Sequence, residues 1–369
     1  MNSVMGLINL YEDESLIPKL TENRPLAAVS FAGRYRLIDF ALSNLVNSGV
    51  QNVGILFRDK ARALMDHLRS GKEWDLSRKR DGLFILPPST KGEYEWMDDA
   101  PALASHIDYL KKSRQEYVIM SGTSMVFTTD YASFIEAHKA SGADVTMMYR
   151  QEDDSFDFSR ATVMAVKEDG EVTDLAVNPA HRFSNSVAMG VYIMRREFLI
   201  DLIRDVLAHG GKNLLKDGLV RYLSNYKVYG YRYDGYVARI DTTLKYYQHN
   251  MDMVKEENWS ALFDQDHKVL TKIKDEAPVK YKEQAKVRRS IVANGCVING
   301  EVENSVLFRG VKVEAGAVVR NCVLMQRCVV KAGAVLENVI CDKYGTITEG
   351  RYLKGETNYP LLVEKGVVI

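Results

Sequence analysis

The chain has 369 residues, of which 46% are hydrophobic and 27% charged, a composition typical of a globular protein with two or three domains. Its 49 basic residues balance 49 acidic ones, so no net positive charge is present to attract nucleic acid or an anionic membrane. The sequence begins without a basic, apolar leader, and no stretch approaches the roughly 18 to 20 apolar residues of a membrane span. We therefore expect a cytoplasmic protein whose partners are small molecules or proteins.

Up to about residue 255, short apolar runs alternate with amphipathic stretches, which predicts a layered α/β domain with a largely parallel sheet. The predicted strands are Val4–Leu10, Val53–Phe57, Leu83–Leu86, Tyr117–Met120, Val145–Tyr149 and Ala188–Met194. The predicted helices are Ile38–Asn47, Arg62–Arg69, Ala102–Lys111, Asp130–Lys139 and Arg196–Leu207. Alternating tyrosines between Tyr226 and Tyr236 predict a further, half-buried strand. A sheet of this class places its ligand crevice at the carboxyl ends of the strands.

Residues 256–285 are polar and are predicted to be a linker, after which the periodicity changes to six residues. One series at this interval is Val318, Leu324, Val330 and Leu336. A second series is Cys322, Cys328, Ala334 and Ile340. A six-residue period with an inward side chain on each side of a coil predicts a parallel β-helix.

The four cysteines are Cys296, Cys322, Cys328 and Cys341, and none of them forms a Cys-x-x-Cys pair. No histidine follows His267, so neither a zinc site nor a disulfide framework is expected. We predict that Cys322 and Cys328 occupy stacked interior positions of the β-helix and serve as inert packing.

A long, specific motif lies near the N-terminus. The segment from Thr21 to Gly49, TENRPLAAVSFAGRYRLIDFALSNLVNSG, resembles the ADP-glucose pyrophosphorylase (glucose-1-phosphate adenylyltransferase) family, as do YVIMSG from Tyr117, MGVY from Met189 and NMDMV from Asn250. Active members join glucose 1-phosphate to ATP, release pyrophosphate and make ADP-glucose for glycogen or starch. The resemblance implies a Rossmann-like nucleotidyltransferase domain at residues 1–255, the linker at 256–285, and a left-handed parallel β-helix of hexapeptide repeats at 286–369.

The loop after the first strand departs from this family. In active members it reads GGxGxRL, and its backbone N–H groups and arginine hold the triphosphate. The corresponding run here, Tyr11 to Ile17, has neither glycine nor arginine. Glu12, Asp13 and Glu14 place three carboxylates where the triphosphate would lie, and like charges oppose its binding. We therefore predict that this loop does not hold phosphate.

Other positions that the resemblance assigns to catalysis are also changed. The lysine of R-A-K-P-A becomes Leu26, the aspartate of A-G-D becomes Thr123, and the metal-binding aspartate of D-V-G-T becomes Arg239. The glutamate and lysine of F-V-E-K-P, which hold the glucose and its phosphate, become Val177 and Asn178. Because nucleotidyl transfer relies on Mg²⁺ to neutralise developing charge, losing both metal ligands should remove most catalysis. We predict no catalytic residue, no metal and no cofactor in this chain.

The G-T-A-D-A segment near the adenine is altered as well and corresponds to residues 98–102. Altered motifs within a preserved scaffold resemble the GlgD-type, non-catalytic subunits of bacterial ADP-glucose pyrophosphorylase. That resemblance implies a pseudoenzyme that joins a catalytic homologue in a heterotetramer, modifies its turnover and effector response, and leaves Mg²⁺ to that partner.

Two arginines match the basic patch at which sugar-phosphate or nucleotide effectors bind in relatives. They are Arg24 and Arg36, and a guanidinium suits phosphate because its planar fork makes two parallel hydrogen bonds. A structural ion pair between Arg36 and Asp39 explains the second arginine equally well.

Three other functions stay open. A working nucleotidyltransferase could use relocated acidic ligands, namely Asp13, Glu14, Asp98, Asp99 and Asp241. The chain could also be an effector sensor without an enzyme partner. An acyltransferase built on the β-helix is disfavoured, because residues 268–369 contain no histidine to serve as its base.

Overall fold

The computed structural model describes residues 3–88, 98–263 and 266–369, and its N-terminal part alternates strands with helices. The strands of this part are β1 (Val4–Asn9), β2 (Ser30–Phe31), β3 (Tyr35–Arg36), β4 (Asn52–Leu56), β5 (Gly82–Leu86), β6 (Tyr117–Ser121), β7 (Met125–Val126), β8 (Val145–Gln151), β9 (Thr162–Val166), β10 (Val172–Val177), β11 (Ser186–Arg195), β12 (Val228–Arg232) and β13 (Ala238–Arg239). The helices are α1 (Pro18–Thr21), α2 (Leu37–Asn47), α3 (Ala61–Leu68), α4 (Asp99–Ser105), α5 (Ile107–Lys112), α6 (Ala132–Ser141), α7 (Arg196–Ala208), α8 (Thr243–Asp252) and α9 (Glu256–Phe263). A π-helical segment follows α7 at Leu214–Val220.

Within the described residues, nine strands form the main sheet, in the order β10-β9-β11-β6-β1-β4-β5, while β8 pairs with β11 and β12 pairs with β8. Strands β6, β1, β4 and β5 are parallel, whereas β11 runs antiparallel to β6, β8 and β9. The predicted α/β class is confirmed. Because β1 and β6 are parallel neighbours, the residues that follow Asn9 and Ser121 meet at one edge of the sheet.

Both faces of this sheet are covered, because side chains along β1 alternate between two apolar clusters. Val4 and Ile8 pack with residues of α2 and α3, while Met5 and Leu7 pack on the opposite face with residues of α4, α5 and α7. No helix in the described residues is long and apolar enough to cross a membrane.

All six predicted strands and all five predicted helical regions are present, with ends shifted by one or two residues in most of them. The helix predicted at Ala102–Lys111 is two helices: α4 ends at Ser105, and the next residue, His106, donates its N–H to the carbonyl of Leu103 at 3.0 Å in a tight turn. The half-buried strand predicted in the tyrosine run is β12, with alternating burial. The antiparallel pair β9–β10 is absent from the prediction: β9 is a short apolar run without alternation, and β10 interrupts its apolar residues with Thr173 and Asp174.

The C-terminal part is a left-handed parallel β-helix whose short strands form three parallel sheets. The first sheet contains Lys280–Tyr281, Val297–Ile298, Lys312–Val313, Val329–Val330 and Thr346–Ile347. The second sheet contains Lys286–Arg288, Glu301–Glu303, Val318–Arg320, Val335–Glu337 and Tyr352–Lys354. The third sheet contains Ile291–Val292, Val306–Leu307, Val323–Leu324, Val339–Cys341 and Leu361–Val363.

Stacking in this β-helix differs from the prediction in one respect. Val319 stacks on Leu336 and Leu336 on Leu353, so stacked positions are 17 residues apart. Six residues correspond to one side of the coil, and Cys322 and Cys328 therefore lie on successive sides rather than in a stack. The cysteines are buried free thiols, and burial raises the pKa of Cys322 to about 12, consistent with inert packing.

Residues 256–285, predicted as a linker, contain helix α9 and the strand Lys280–Tyr281, and residues 268–279 have no regular secondary structure. Residues 264 and 265 of this segment lie outside the described residues. The domain limits of 1–255 and 286–369 stay a prediction. The third sheet of the β-helix packs on the N-terminal part through an apolar cluster that joins Val306 and Val323 to Phe31, Tyr246 and Tyr247.

Candidate functional site

A cavity of about 740 Å³ opens at the carboxyl edge of the main sheet, where the family resemblance places the active site. The segments after β1 and β6 contribute Glu12, Asp13 and Gly122 to its wall, and β10 contributes Val177 and Asn178. The segments that carry the candidate site residues therefore surround one cavity. What the cavity can bind depends on the side chains that line it.

Glu12 points into the turn after β6. Its Oε1 accepts hydrogen bonds from the backbone N–H groups of Thr123 at 2.8 Å and Ser124 at 2.7 Å, and its Oε2 accepts from the Thr123 hydroxyl at 2.5 Å. Thr123, where the family resemblance implies a metal-binding aspartate, is fully buried. The Glu12 carboxylate thus occupies the space directly in front of that position.

The other two carboxylates of the loop are also bound by protein groups. Asp13 forms a salt bridge with Arg160, and Glu14 accepts a hydrogen bond from the backbone N–H of Leu26 at 2.6 Å with Lys60 at 3.5 Å. The cations absent from the loop itself are therefore supplied by distant segments. Burial raises the pKa of Glu14, while hydrogen bonding to Leu26 and the charge of Lys60 act in the opposite direction.

Leu26 itself lies in a short 3₁₀ turn and is 2% exposed, as part of the apolar cluster that joins the two parts of the chain. Where active relatives present a lysine to the phosphate, this chain therefore presents a core residue. Nothing at this position carries charge toward the cavity.

Arg239 binds the acid that follows it. Its Nε lies 2.7 Å from Oδ2 of Asp241, and its Nη2 donates to the carbonyl of Arg160 at 2.5 Å. Lys245 lies 3.0 Å from the same carboxylate, and Phe156 packs under the Arg239 guanidinium at 5.4 Å. Two cations therefore surround Asp241 where the family resemblance expects a divalent metal, and both side chains of the Arg239–Asp241 pair are at least 85% buried.

The sugar-side positions Val177 and Asn178 end β10 next to the cavity. Asn178 adopts a left-handed backbone conformation with φ of 53° and donates its N–H to the carbonyl of Ala161 at 2.8 Å. An asparagine tolerates this conformation better than most residues. Neither side chain brings a charge that would hold a sugar phosphate.

Asp98 and Asp99 lie at the start of α4, and protein donors satisfy both. Asp99 accepts from the N–H of Leu214 and from the side-chain amide of Asn9, each at 2.9 Å. The pKa of Asp99 is raised to about 7, chiefly by burial and also by the neighbouring Asp98 carboxylate, against the opposing effect of its hydrogen bonds. Within residues 3–88, 98–263 and 266–369, no three His, Cys, Asp or Glu side chains group as metal ligands.

The two arginines proposed for effector binding lie at the junction with the β-helix. Arg24 is 4% exposed, and its Nη2 lies 2.6 Å from Oδ2 of Asp342. The side chain of Arg36 donates to the carbonyl of Ala63 at 2.6 Å. The ion pair considered for Arg36 and Asp39 is absent from the salt bridges of the described residues: Asp39 accepts from the backbone N–H of Arg36 and pairs with His67 instead.

Around Arg24 and Arg36 the structure brings together three basic residues that sequence reasoning missed, Lys274, Arg309 and Lys343. We call Arg36, Lys274, Arg309 and Lys343 the interdomain basic cluster. Burial, followed by the charges of Arg36 and Arg24, lowers the pKa of Lys343 to about 6. Burial also lowers the pKa of Arg309. Arg309 is 6% exposed, and its Nε and Nη2 have no hydrogen-bond partner among the described residues. No local motif marks these residues, because they come from segments far apart in the chain.

Comparisons with known proteins agree with this architecture. The profile of the nucleotidyl transferase family matches residues 15–260, and that of the GlmU-like C-terminal hexapeptide matches residues 276–357. Two relatives carry the name glycogen biosynthesis protein GlgD. The one from Bacillus subtilis (strain 168) is 38% identical and the one from Geobacillus stearothermophilus 39% identical, each over 100% of this chain and 97% of the relative.

A glucose-1-phosphate adenylyltransferase from Geobacillus stearothermophilus is 33% identical over 83% of this chain and 80% of that enzyme. The similarity to the GlgD proteins extends over the whole length, including the β-helix. The chain therefore belongs to the nucleotidyl transferase family, in the group that contains GlgD and the glucose-1-phosphate adenylyltransferases.

Proposed function

We propose that this chain is a non-catalytic, regulatory subunit of ADP-glucose pyrophosphorylase. In this proposal it modulates a catalytic homologue that makes ADP-glucose from ATP and glucose 1-phosphate for glycogen synthesis in the cytoplasm. The names of the GlgD relatives support the glycogen role. The chain itself needs no cofactor, and Mg²⁺ acts only in the catalytic partner.

The observation that carries the non-catalytic role is the environment of Asp241. Arg239 and Lys245 both contact its carboxylate, at 2.7 and 3.0 Å. A divalent cation beside them would be repelled by two positive charges and would have to displace two salt bridges. Without that ion, the transferring phosphoryl group lacks its main source of charge neutralisation.

The alternative of a working enzyme with relocated ligands requires free acidic groups. Asp13, Glu14 and Asp241 each contact a cation, and Asp98 and Asp99 accept hydrogen bonds from protein donors. Each of these acids is therefore already engaged by a protein group. This occupation favours the regulatory proposal.

The first experiment is a pyrophosphate-release assay with the purified chain, ATP, glucose 1-phosphate and Mg²⁺. We expect a rate no higher than that without protein, with the catalytic homologue as the positive control. Turnover by the isolated chain that persists after a second purification step would favour the working enzyme and contradict our proposal.

The second experiment tests the partner. We expect the chain to co-purify with the catalytic homologue as a heterotetramer when the two are co-expressed, and to change its turnover. A chain that stays separate at micromolar concentrations and leaves turnover unchanged would instead support a stand-alone effector sensor.

We further propose that a sugar-phosphate or nucleotide effector binds at the interdomain basic cluster. Arg309 is buried with unpaired donors, and a buried polar group without a partner is unfavourable, so an anionic ligand that accepts these hydrogen bonds would stabilise this arrangement. Arg36 adds positive charge at the same cluster, and an anion bound there would favour the protonated form of Lys343, whose pKa is otherwise lowered by burial and by Arg36 and Arg24. Arg24 would act indirectly, because Asp342 already occupies its guanidinium.

This part of the proposal is tested in the reconstituted complex with a panel of sugar phosphates and nucleotides. Arg309→Gln and Lys343→Met should each weaken the effector response at least several-fold. Lys312→Ala removes an exposed lysine from the outer face of the β-helix and should leave the effector response unchanged. An unaltered response in Arg309→Gln and Lys343→Met would contradict effector binding at this cluster.

A further inference from the structure

The turn that follows β6 presents three hydrogen-bond donors to one point. They are the backbone N–H groups of Thr123 and Ser124 and the hydroxyl of Thr123, and all three bind the Glu12 carboxylate at 2.5 to 2.8 Å. Successive backbone N–H groups that converge in this way form a concave site for an anion. The structure thus contains an anion site that is filled by the protein's own side chain.

The geometry of the turn favours close approach by an anion. Gly122 precedes the donors, and a Cβ atom at this position would lie only 2.6 Å from Oε1 of Glu12. The absence of a side chain at residue 122 therefore allows an oxygen atom to reach the backbone. Glu12 enters the turn from the loop after β1, 111 residues earlier in the chain.

The charges of the cavity would favour a phosphate if Glu12 were absent. Five basic side chains line the same cavity: Arg58, Arg160, Lys212, Lys216 and Arg239. Its other acids are Asp13, Asp98, Asp99 and Asp241. Two of these acids are already paired with Arg160 and Arg239, so the Glu12 carboxylate balances part of the remaining positive charge.

We propose that the Gly122–Ser124 turn is a binding site for a phosphate-type anion and that Glu12 occupies it as an internal ligand. A phosphate and the Glu12 carboxylate compete for the same three donors, so an external anion enters only when Glu12 leaves. This inference does not depend on the regulatory function, because it concerns the cavity of this chain and not the interdomain basic cluster.

The test uses the full chain in the absence of magnesium. The probe is inorganic phosphate or pyrophosphate. Glu12→Ala should bind the probe at least tenfold more tightly than the original chain in calorimetric titration. The backbone amide signals of Thr123 and Ser124 should shift during the same titration, which locates the site. Binding at the interdomain basic cluster would occur in every variant and would not shift these two amides.

Two matched controls distinguish occupation of the turn by Glu12 from a general effect of negative charge. Glu12→Gln keeps a carbonyl oxygen that can accept hydrogen bonds from both N–H groups, so its side chain should still exclude phosphate from the turn. Asp13→Ala removes the same charge at the next residue of the loop but leaves Glu12 in place, so Glu12 should still exclude phosphate from the turn. Equal phosphate binding by Asp13→Ala and Glu12→Ala would overturn the proposal.

Three other results would also overturn it. One is a folded Glu12→Ala protein that binds phosphate no better than the original chain. Another is binding that leaves the Thr123 and Ser124 signals unchanged. The third concerns folding. Glu12→Ser is a second variant that keeps a small polar side chain. If both Glu12→Ser and Glu12→Ala fail to fold, Glu12 is a structural element and not an internal ligand.

Discussion

The guanidinium of Arg24 and the carboxylate of Asp342 form a salt bridge of 2.6 Å between residues 318 positions apart. Both side chains are less than 5% exposed, so neither charge has access to bulk water. Because a desolvated charge is costly without its partner, each residue holds the other in place. The salt bridge connects the β-helix to the segment around Leu26, whose backbone N–H donates to Glu14.

We predict that Arg24→Ala lowers the free energy of unfolding by about 3 to 5 kcal/mol, because it leaves Asp342 buried and unpaired. Lys19→Ala is the matched control: Lys19 and Glu364 join the same two parts at 2.9 Å but are exposed, and their loss should change stability by about 1 kcal/mol or less. Urea denaturation measures both. In a double-mutant cycle with Asp342→Ala, additive effects would show that the two charges do not interact.

Arg239→Ala should lower the free energy of unfolding by about 1 to 3 kcal/mol, because Asp241 and the carbonyl of Arg160 each lose a charged hydrogen-bond donor. Arg239→Lys should recover part of this loss, since an ammonium can pair with Asp241 but cannot reach both acceptors. Neither variant should release pyrophosphate from ATP and glucose 1-phosphate. Activity in Arg239→Ala would mean that this arginine alone suppresses catalysis.

Lys343 predicts a dependence of stability on pH. Its pKa falls from 10.5 to about 6 on folding, first through burial and then through the nearby arginines. Between these values the unfolded chain binds a proton that the folded chain does not, so the free energy of unfolding rises with pH, by at most about 1.4 kcal/mol per pH unit.

Lys343→Met should flatten this slope, and urea denaturation from pH 6.5 to 9 measures it. Burial also lowers the pKa values of Lys272 and Lys274, so a smaller slope of the same sign should persist in the variant. Identical slopes in the two proteins would show that Lys343 is protonated in the folded state.

A corner of the β-helix gives a prediction about backbone conformation. Asn304, Asn321 and Asn338 stack at this corner with φ values of 44°, 50° and 52°, and the side-chain amide of Asn304 donates to that of Asn321 at 2.7 Å. Asn321→Val should lower stability by about 1 to 2 kcal/mol, because a branched residue is strained at positive φ. Asn321→Gly should lose less, since glycine adopts this conformation freely. Thermal unfolding compares the two, and an equal loss in both would assign the effect to the amide hydrogen bond.

Local patterns in the sequence were sufficient to predict most of the fold. Apolar runs identified β1, β4 and β6, and the six-residue period identified the β-helix, because both signals arise from burial and hydrogen bonding between regularly spaced residues. The 17-residue stacking was missed, although glycines at 316, 333 and 350 repeat at that interval with φ from 66° to 69°. That column of glycines was the signal that could have revealed it.

The amino-acid sequence by itself determined the class of both parts and the family, and it showed that the positions which the resemblance assigns to catalysis carry other residues. The type of each residue can be read without coordinates, and so can the presence of Thr123 and Arg239 where the resemblance expects aspartates. Only the tertiary structure decided which partners these residues have. The contacts of Glu12 with Thr123, of Arg24 with Asp342 and of the interdomain basic cluster join distant segments, and no periodicity along the chain encodes such pairs.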